Sequence, residues 1–143
     1  MIEYTQTELR VMGLFSMIGA GFSFLVGGVD QSLITLLVLI VLDYFTGLMA
    51  AWHTSELASQ EGFDGIKRKI VMLVVVVVAN QMDLVMGEGH TLRTMIIFAY
   101  IGNEGLSITE NIDRMGYGDC IPKLVRDKLI QLREEKSNAK NGA

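Results

Sequence analysis

The side chains best placed to do chemistry in this sequence are acids and amides set inside apolar runs. Asp43 interrupts SLITLLVLIVLDYFTGLMAAW, and Asn80 and Asp83 close IVMLVVVVVANQMDLVM. Tyr100, Asn103, Glu104, Ser107 and Glu110 fall in LRTMIIFAYIGNEGLSITENI. In hydrocarbon such groups exchange protons, hydrogen-bond a neighbouring helix or line water, and a charge near mid-membrane is expensive enough to need a role. Tyr100, Asn103, Ser107, Glu110 and Asn111 recur on one helical face, with Glu104 at its margin, so that face should look at protein or water. Two readings stay open: interhelical hydrogen bonds with Asp43 protonated, or a water-lined lumen in an assembly. Asp83 is expected near the outer interface, where hydration is cheap.

Enzymatic chemistry has little to stand on. His53 and His90 are expected in loops on opposite sides of a membrane, so they make no paired metal site. There is no GxSxG elbow and no GxxxxGK[ST] phosphate loop. Cys120 is the one cysteine, which excludes a disulfide framework and a multi-thiolate metal site. No metal, no cofactor and no enzymatic activity are expected. Gly116-Tyr117-Gly118-Asp119 spells a potassium-filter motif, but the short charged segment after it cannot span a membrane, so the motif is rejected.

The elements that must position these groups follow from the apolar pattern. The chain has 143 residues, 50% of them hydrophobic and 20% charged, which suits one small domain and excludes a disordered chain. Mean hydropathy is +0.39. The pattern predicts an all-α integral membrane protein with about four transmembrane helices, at about 11–29, 32–52, 70–86 and 92–112. In the second span eleven Leu, Ile, Val and Phe residues contribute roughly −3 to −7 kcal/mol against roughly +3 for Asp43, so insertion wins. The valine run of the third could form a buried strand, but its length favours a helix. The fourth is apolar only in its first half. Residues 114–143 form a basic cytoplasmic tail. Within it Ile121, Leu124, Val125, Leu129 and Leu132 alternate with cations as a short amphipathic helix, lying on the membrane or packed on its neighbours. The final KSNAKNGA should be disordered.

Charge sets the topology. Up to Asp113 there are five Lys and Arg against twelve acids, and from Arg114 onward seven against four. Lys67, Arg68 and Lys69 abut the third span, and Lys123, Arg126 and Lys128 follow the fourth. These are expected as membrane-surface cations facing the cytoplasm, with both termini inside. Arg93 is the lone cation on the other side. The tail carries no aromatic beyond Tyr117, so nucleic acid is not an expected partner.

In the first span Gly13, Ser16, Ala20, Ser23 and Gly27 recur at intervals of three and four, and small residues let membrane helices approach closely. The seam could pack within one chain or join subunits. Gly13, Ala20 and Gly27 are the expected assembly contacts.

LDYFTG at Leu42 to Gly47, GIKRK at Gly65 to Lys69, NQMD at Asn80 to Asp83 and IGNEGLSITENIDRMG at Ile101 to Gly116 together resemble the toxin secretion/phage lysis holin family. The likeness runs from about Val26 to Leu132. It departs where the family has a P-x-P-like turn and this chain has Tyr117-Gly118-Asp119-Cys120 before Ile121-Pro122. The resemblance implies a multi-pass protein of the bacterial host's cytoplasmic membrane. Such proteins form homo-oligomers in the lipid bilayer and then a lesion that passes endolysin or a toxin, without specific binding of that cargo. A narrow ion or solute channel and a non-pore-forming, antiholin-like regulator are the rival readings; a soluble α/β enzyme is a distant third.

Overall fold

The computed structural model describes residues 5–54, 59–87, 89–128 and 130–131. They form four long helices: α1 (Gln6–Val26), α2 (Gln31–His53), α3 (Ser59–Met86) and α4 (Thr91–Arg114). A single 3-10 turn follows at Gly118–Cys120. No strand occurs among the described residues. The valine run is therefore helical, as its length requires.

Local chemistry sets the helix ends. At the start of α1 the Thr5 amide donates to the Glu8 carboxylate at 2.7 Å, one half of a capping box. Gly27, at φ 79°, ends that helix, and the Gly28 amide returns to Ser23 O at 2.7 Å. This left-handed stop suits glycine because it has no Cβ to clash. Asp30 caps α2, accepting from the Leu33 amide at 2.9 Å. The start of α4 borrows its cap from another helix: the Asp83 carboxylate of α3 accepts from the amides of Leu92 and Arg93, at 2.9 and 2.8 Å.

The helices run up and down, so α2 and α4 start at the end of the bundle where α1 and α3 finish. α2 packs chiefly on α4, α4 also packs on α3, and α1 touches mainly α3. The core is small: Val26, Leu33, Leu36, Val76 and Ile97 are fully buried, with Ile40, Ile96, Tyr100 and Ile101 among those packed around them. Outward faces stay apolar, with Val41, Phe45 and Met49 on α2, Val71, Val74 and Val78 on α3, and Met95 and Phe98 on α4 all exposed. Such all-round apolar surface belongs in hydrocarbon. Among the described residues three helices are long and apolar enough to cross a membrane: Gln6–Val26, Gln31–His53 and Asp64–Met86. With 24 residues α4 is long enough but too polar to join them.

Residues 5–22 are exposed throughout, so α1 stands at the edge of the bundle. After Pro122, residues 123–128 and 130–131 are helical. The expected amphipathic helix continues through Leu129, Leu132 and Arg133, which lie outside the described residues, as does the terminal KSNAKNGA.

Candidate functional site

Two polar clusters join the helices, one midway along α2 and α4 and one at an end. The first cluster is built on Lys69 of α3, whose ammonium donates to the Asp43 carboxylate of α2 at 2.7 Å and also to the Glu104 carboxylate of α4. Asp43 lies about 18 Å along α2 and Glu104 about 20 Å along α4, at 1.5 Å per residue, so each stands near the middle of its helix. Glu104 is 1% exposed and Asp43 is 9%. Asn111 completes the cluster, donating to Asp43 Oδ1 at 3.1 Å and to Thr46 Oγ1 at 3.2 Å. Gly47 leaves room for that amide, since a Cβ there would lie 3.4 Å from Asn111 Nδ2.

An isolated carboxylate midway along a membrane-spanning helix costs roughly 3 kcal/mol in insertion. Here Asp43 and Glu104 share one ammonium, and removing a partner from such a buried group typically costs about 3–5 kcal/mol. The arrangement therefore fixes the rotation of α2, α3 and α4 about one ammonium.

The second cluster closes the end where α1 meets α2. Arg93 is 1% exposed, and its guanidinium donates to Val26 O, to Gly28 O at 2.8 Å and to the Asp30 carboxylate at 2.6 Å. The Arg93 hydrogen bond holds the Asp30 carboxyl well below the usual carboxylate range, with help from the Leu33 amide and Ser32 hydroxyl and against a smaller desolvation effect. Beside it the Asn80 amide donates to Leu25 O at 3.0 Å, while Asn80 Oδ1 faces Gly27 without a hydrogen-bond partner. Arg93, Asn80 and Asp83 thus clamp the C-terminal carbonyls of α1 and the first turn of α4.

Several expectations change on this geometry. Lys69 is not the free cation expected of it: its side chain is 16% exposed and turns inward between two acids. Arg93 is no loop cation, because it opens α4 and is buried. Asp83 is not hydrated at an interface; it is fully buried as the cap of α4. Asp43 accepts interhelical hydrogen bonds from Lys69 and Asn111, and the partner that the interhelical reading leaves unnamed is the Lys69 ammonium. Glu104, expected at the margin of its face, is buried together with Asn111, whereas Tyr100, Ser107 and Glu110 are half-buried and Asn103 is exposed. Gly27 does not line α1; it caps it, packed against Asn80 and Arg93 of its own chain. Gly13, Ser16 and Ala20 are exposed and Ser23 is half-buried. Lys67, Arg68, Lys123 and Lys128 are exposed, and half-buried Arg126 reaches toward Asp113 and Asp119 at 3.5 and 3.4 Å.

Lys69 had a signal in the sequence: two mid-span acids on different helices call for a cation within reach of both. The tyrosine-flanked glycines find a local explanation. Gly118 is buried against the Asp113 carboxylate, where a Cβ would stand 2.0 Å from Oδ1. His53 and His90 lie at opposite ends of the bundle, and no acid, histidine or cysteine group suited to a metal ion occurs among the described residues.

Comparison with known proteins gives a consistent set. A model described as a bacteriophage holin family matches residues 20–134. The uncharacterized protein Lin0175 of Listeria innocua is 42% identical over 112 residues, covering 78% of this chain and 79% of its own. The uncharacterized protein YqxH of Bacillus subtilis is 38% identical over 120 residues, 84% of each chain. A probable holin of Bacillus phage phi105 is 40% identical over 94 residues, covering 66% of this chain and 68% of its own. No solved structure matches.

Proposed function

The chain belongs to the bacteriophage holin family, a family of membrane-permeabilising proteins and not of enzymes, and from that premise we propose that it opens the cytoplasmic membrane of a bacterial host. It crosses that membrane four times with both termini in the cytoplasm, associates with further copies of itself, and forms a lesion through which endolysin or a toxin passes without being specifically bound. The observation that carries this reading is the family match across most of the chain, supported by three apolar helices whose outward faces remain apolar.

The polar clusters support the order of events. Lys69 meets Asp43 and Glu104, Asp83 accepts two backbone amides, and Arg93 meets Asp30 and two carbonyls, all inside a single chain, so monomers can accumulate in a bilayer with these groups turned away from lipid. Asn103 remains exposed on α4, on the same side as half-buried Ser107 and Glu110, and in hydrocarbon it seeks a polar neighbour. A second copy or a water-filled lumen would supply one. Opening is then a shift of population toward the assembled state, biased by its extra contacts.

The test is induced expression in a bacterium with membrane potential and leakage of a folded cytosolic enzyme followed together. Loss of potential with escape of the enzyme is expected. Loss of potential with the enzyme retained makes the protein a narrow channel, and no change in either makes it a regulator of another membrane protein.

A further inference from the structure

We infer that Lys69 is the residue that carries α4 across the membrane. The inference rests on the four-span reading above. Three helices are apolar enough to insert by themselves, and α4 is not. What α4 lacks is supplied by α3. The Asp83 carboxylate satisfies the amides of Leu92 and Arg93 at its first turn, and the Lys69 ammonium meets Glu104 at its middle.

Lys69 suits this task by position and by shape. It stands five residues inside Asp64–Met86, in the run Lys67-Arg68-Lys69, about 8 Å from the start of that apolar helix at 1.5 Å per residue. A lysine there can extend its aliphatic stem to the surface and keep its charge in water while α4 is absent. With α4 in place the same side chain lies inward, between Asp43 and Glu104. Without the ammonium, entry of α4 would bring the Glu104 carboxylate into a cluster already holding that of Asp43, two like charges in a low-dielectric space. The helix would then stay at the outer surface, with the segment after it stranded outside.

Cys120 provides the readout: it is the only cysteine, and it is exposed just beyond α4. The full chain is expressed in bacteria and treated with a membrane-impermeant maleimide before the membrane potential falls, on intact and on permeabilised cells. In the parent chain Cys120 should label only after permeabilisation. Lys69→Met should make it label in intact cells, reflecting a shift of about 100-fold in the ratio of inserted to surface α4, the equivalent of one unpaired mid-helix charge. Adding Glu104→Gln to Lys69→Met should restore protection, and should restore the amount of chain where Lys69→Met alone is degraded.

Cys120 protected in Lys69→Met as in the parent overturns the inference, as does failure of the double variant to recover protection. Outside labelling of the parent overturns the four-span reading and this inference with it. A protected parent that makes no lesion overturns the proposed lytic function and leaves the role of Lys69 standing.

Discussion

Gly27→Ala separates a glycine that holds the fold from one that is free to meet a partner. At φ 79° an alanine pays the left-handed penalty of about 1–2 kcal/mol. The new Cβ would also stand 2.1 Å from Asn80 Oδ1 and 3.1 Å from Arg93 Cδ. Asn80 is 1% exposed and bonded to Leu25 O, so yielding means losing that hydrogen bond, and overpacking of this kind costs about 1–3 kcal/mol. Together these predict a loss of about 2–5 kcal/mol for Gly27→Ala. Gly13→Ala is the control: a Cβ there meets nothing within 4 Å, and the change should favour the helix by about 1 kcal/mol. Both variants can be unfolded by titrating SDS into mild-detergent micelles, with far-ultraviolet circular dichroism and the fluorescence of the one tryptophan, Trp52, as probes. The reasoning is refuted if Gly27→Ala unfolds at the parent midpoint, or if Gly13→Ala falls as far.

Three further outcomes follow from the same geometry. Arg93→Met removes a buried guanidinium from two carbonyls and a carboxylate and should lower stability by about 3–5 kcal/mol in the same titration, whereas Asp30→Asn, at a carboxylate whose side chain is 50% exposed, should cost much less; equal losses would mean that Arg93 acts through Asp30 alone. The folded Asp30 carboxyl has a depressed pKa, so its contribution is fully present above the unfolded value of about 3.9 and is lost as pH falls through the folded value. Unfolding midpoints should therefore show no Asp30-dependent change between pH 7 and 5, and below pH 4 the parent should lose stability relative to Asp30→Asn; the same acid slope in both would place the effect elsewhere. Ala20→Leu, on the exposed face of α1, should delay or abolish lysis while leaving insertion intact, and normal timing would count against that face as an assembly contact.

Helix positions were readable because long apolar runs report them directly: the expected spans at 11–29, 32–52 and 70–86 overlap α1, α2 and α3. The groups that would matter inside them were readable by type, since an acid such as Asp43 in an apolar run stands out whatever surrounds it. Partnership was not. Lys69 belongs by sequence to a basic loop-like run, and only the rotation of α3 against α2 and α4 turns it toward Asp43 and Glu104. Arg93 reads as an outside charge until the ends of α1, α2 and α3 converge on it. The spacing of small residues carried Gly27 into a helical seam because periodicity does not register a left-handed stop. Pairwise geometry across helices is information that a linear pattern holds only as a charge imbalance.

The grip on α1 is lopsided. Its last turn is fastened to α3 and α4 through backbone carbonyls, while everything from residue 5 to residue 22 has almost no protein beside it. A rod secured at one tip takes its company along the shaft from whatever the surrounding film contains. Under the proposed self-association that company would be fatty acyl chains when copies are sparse and other rods of the same kind as they crowd, so abundance alone would act as the clock.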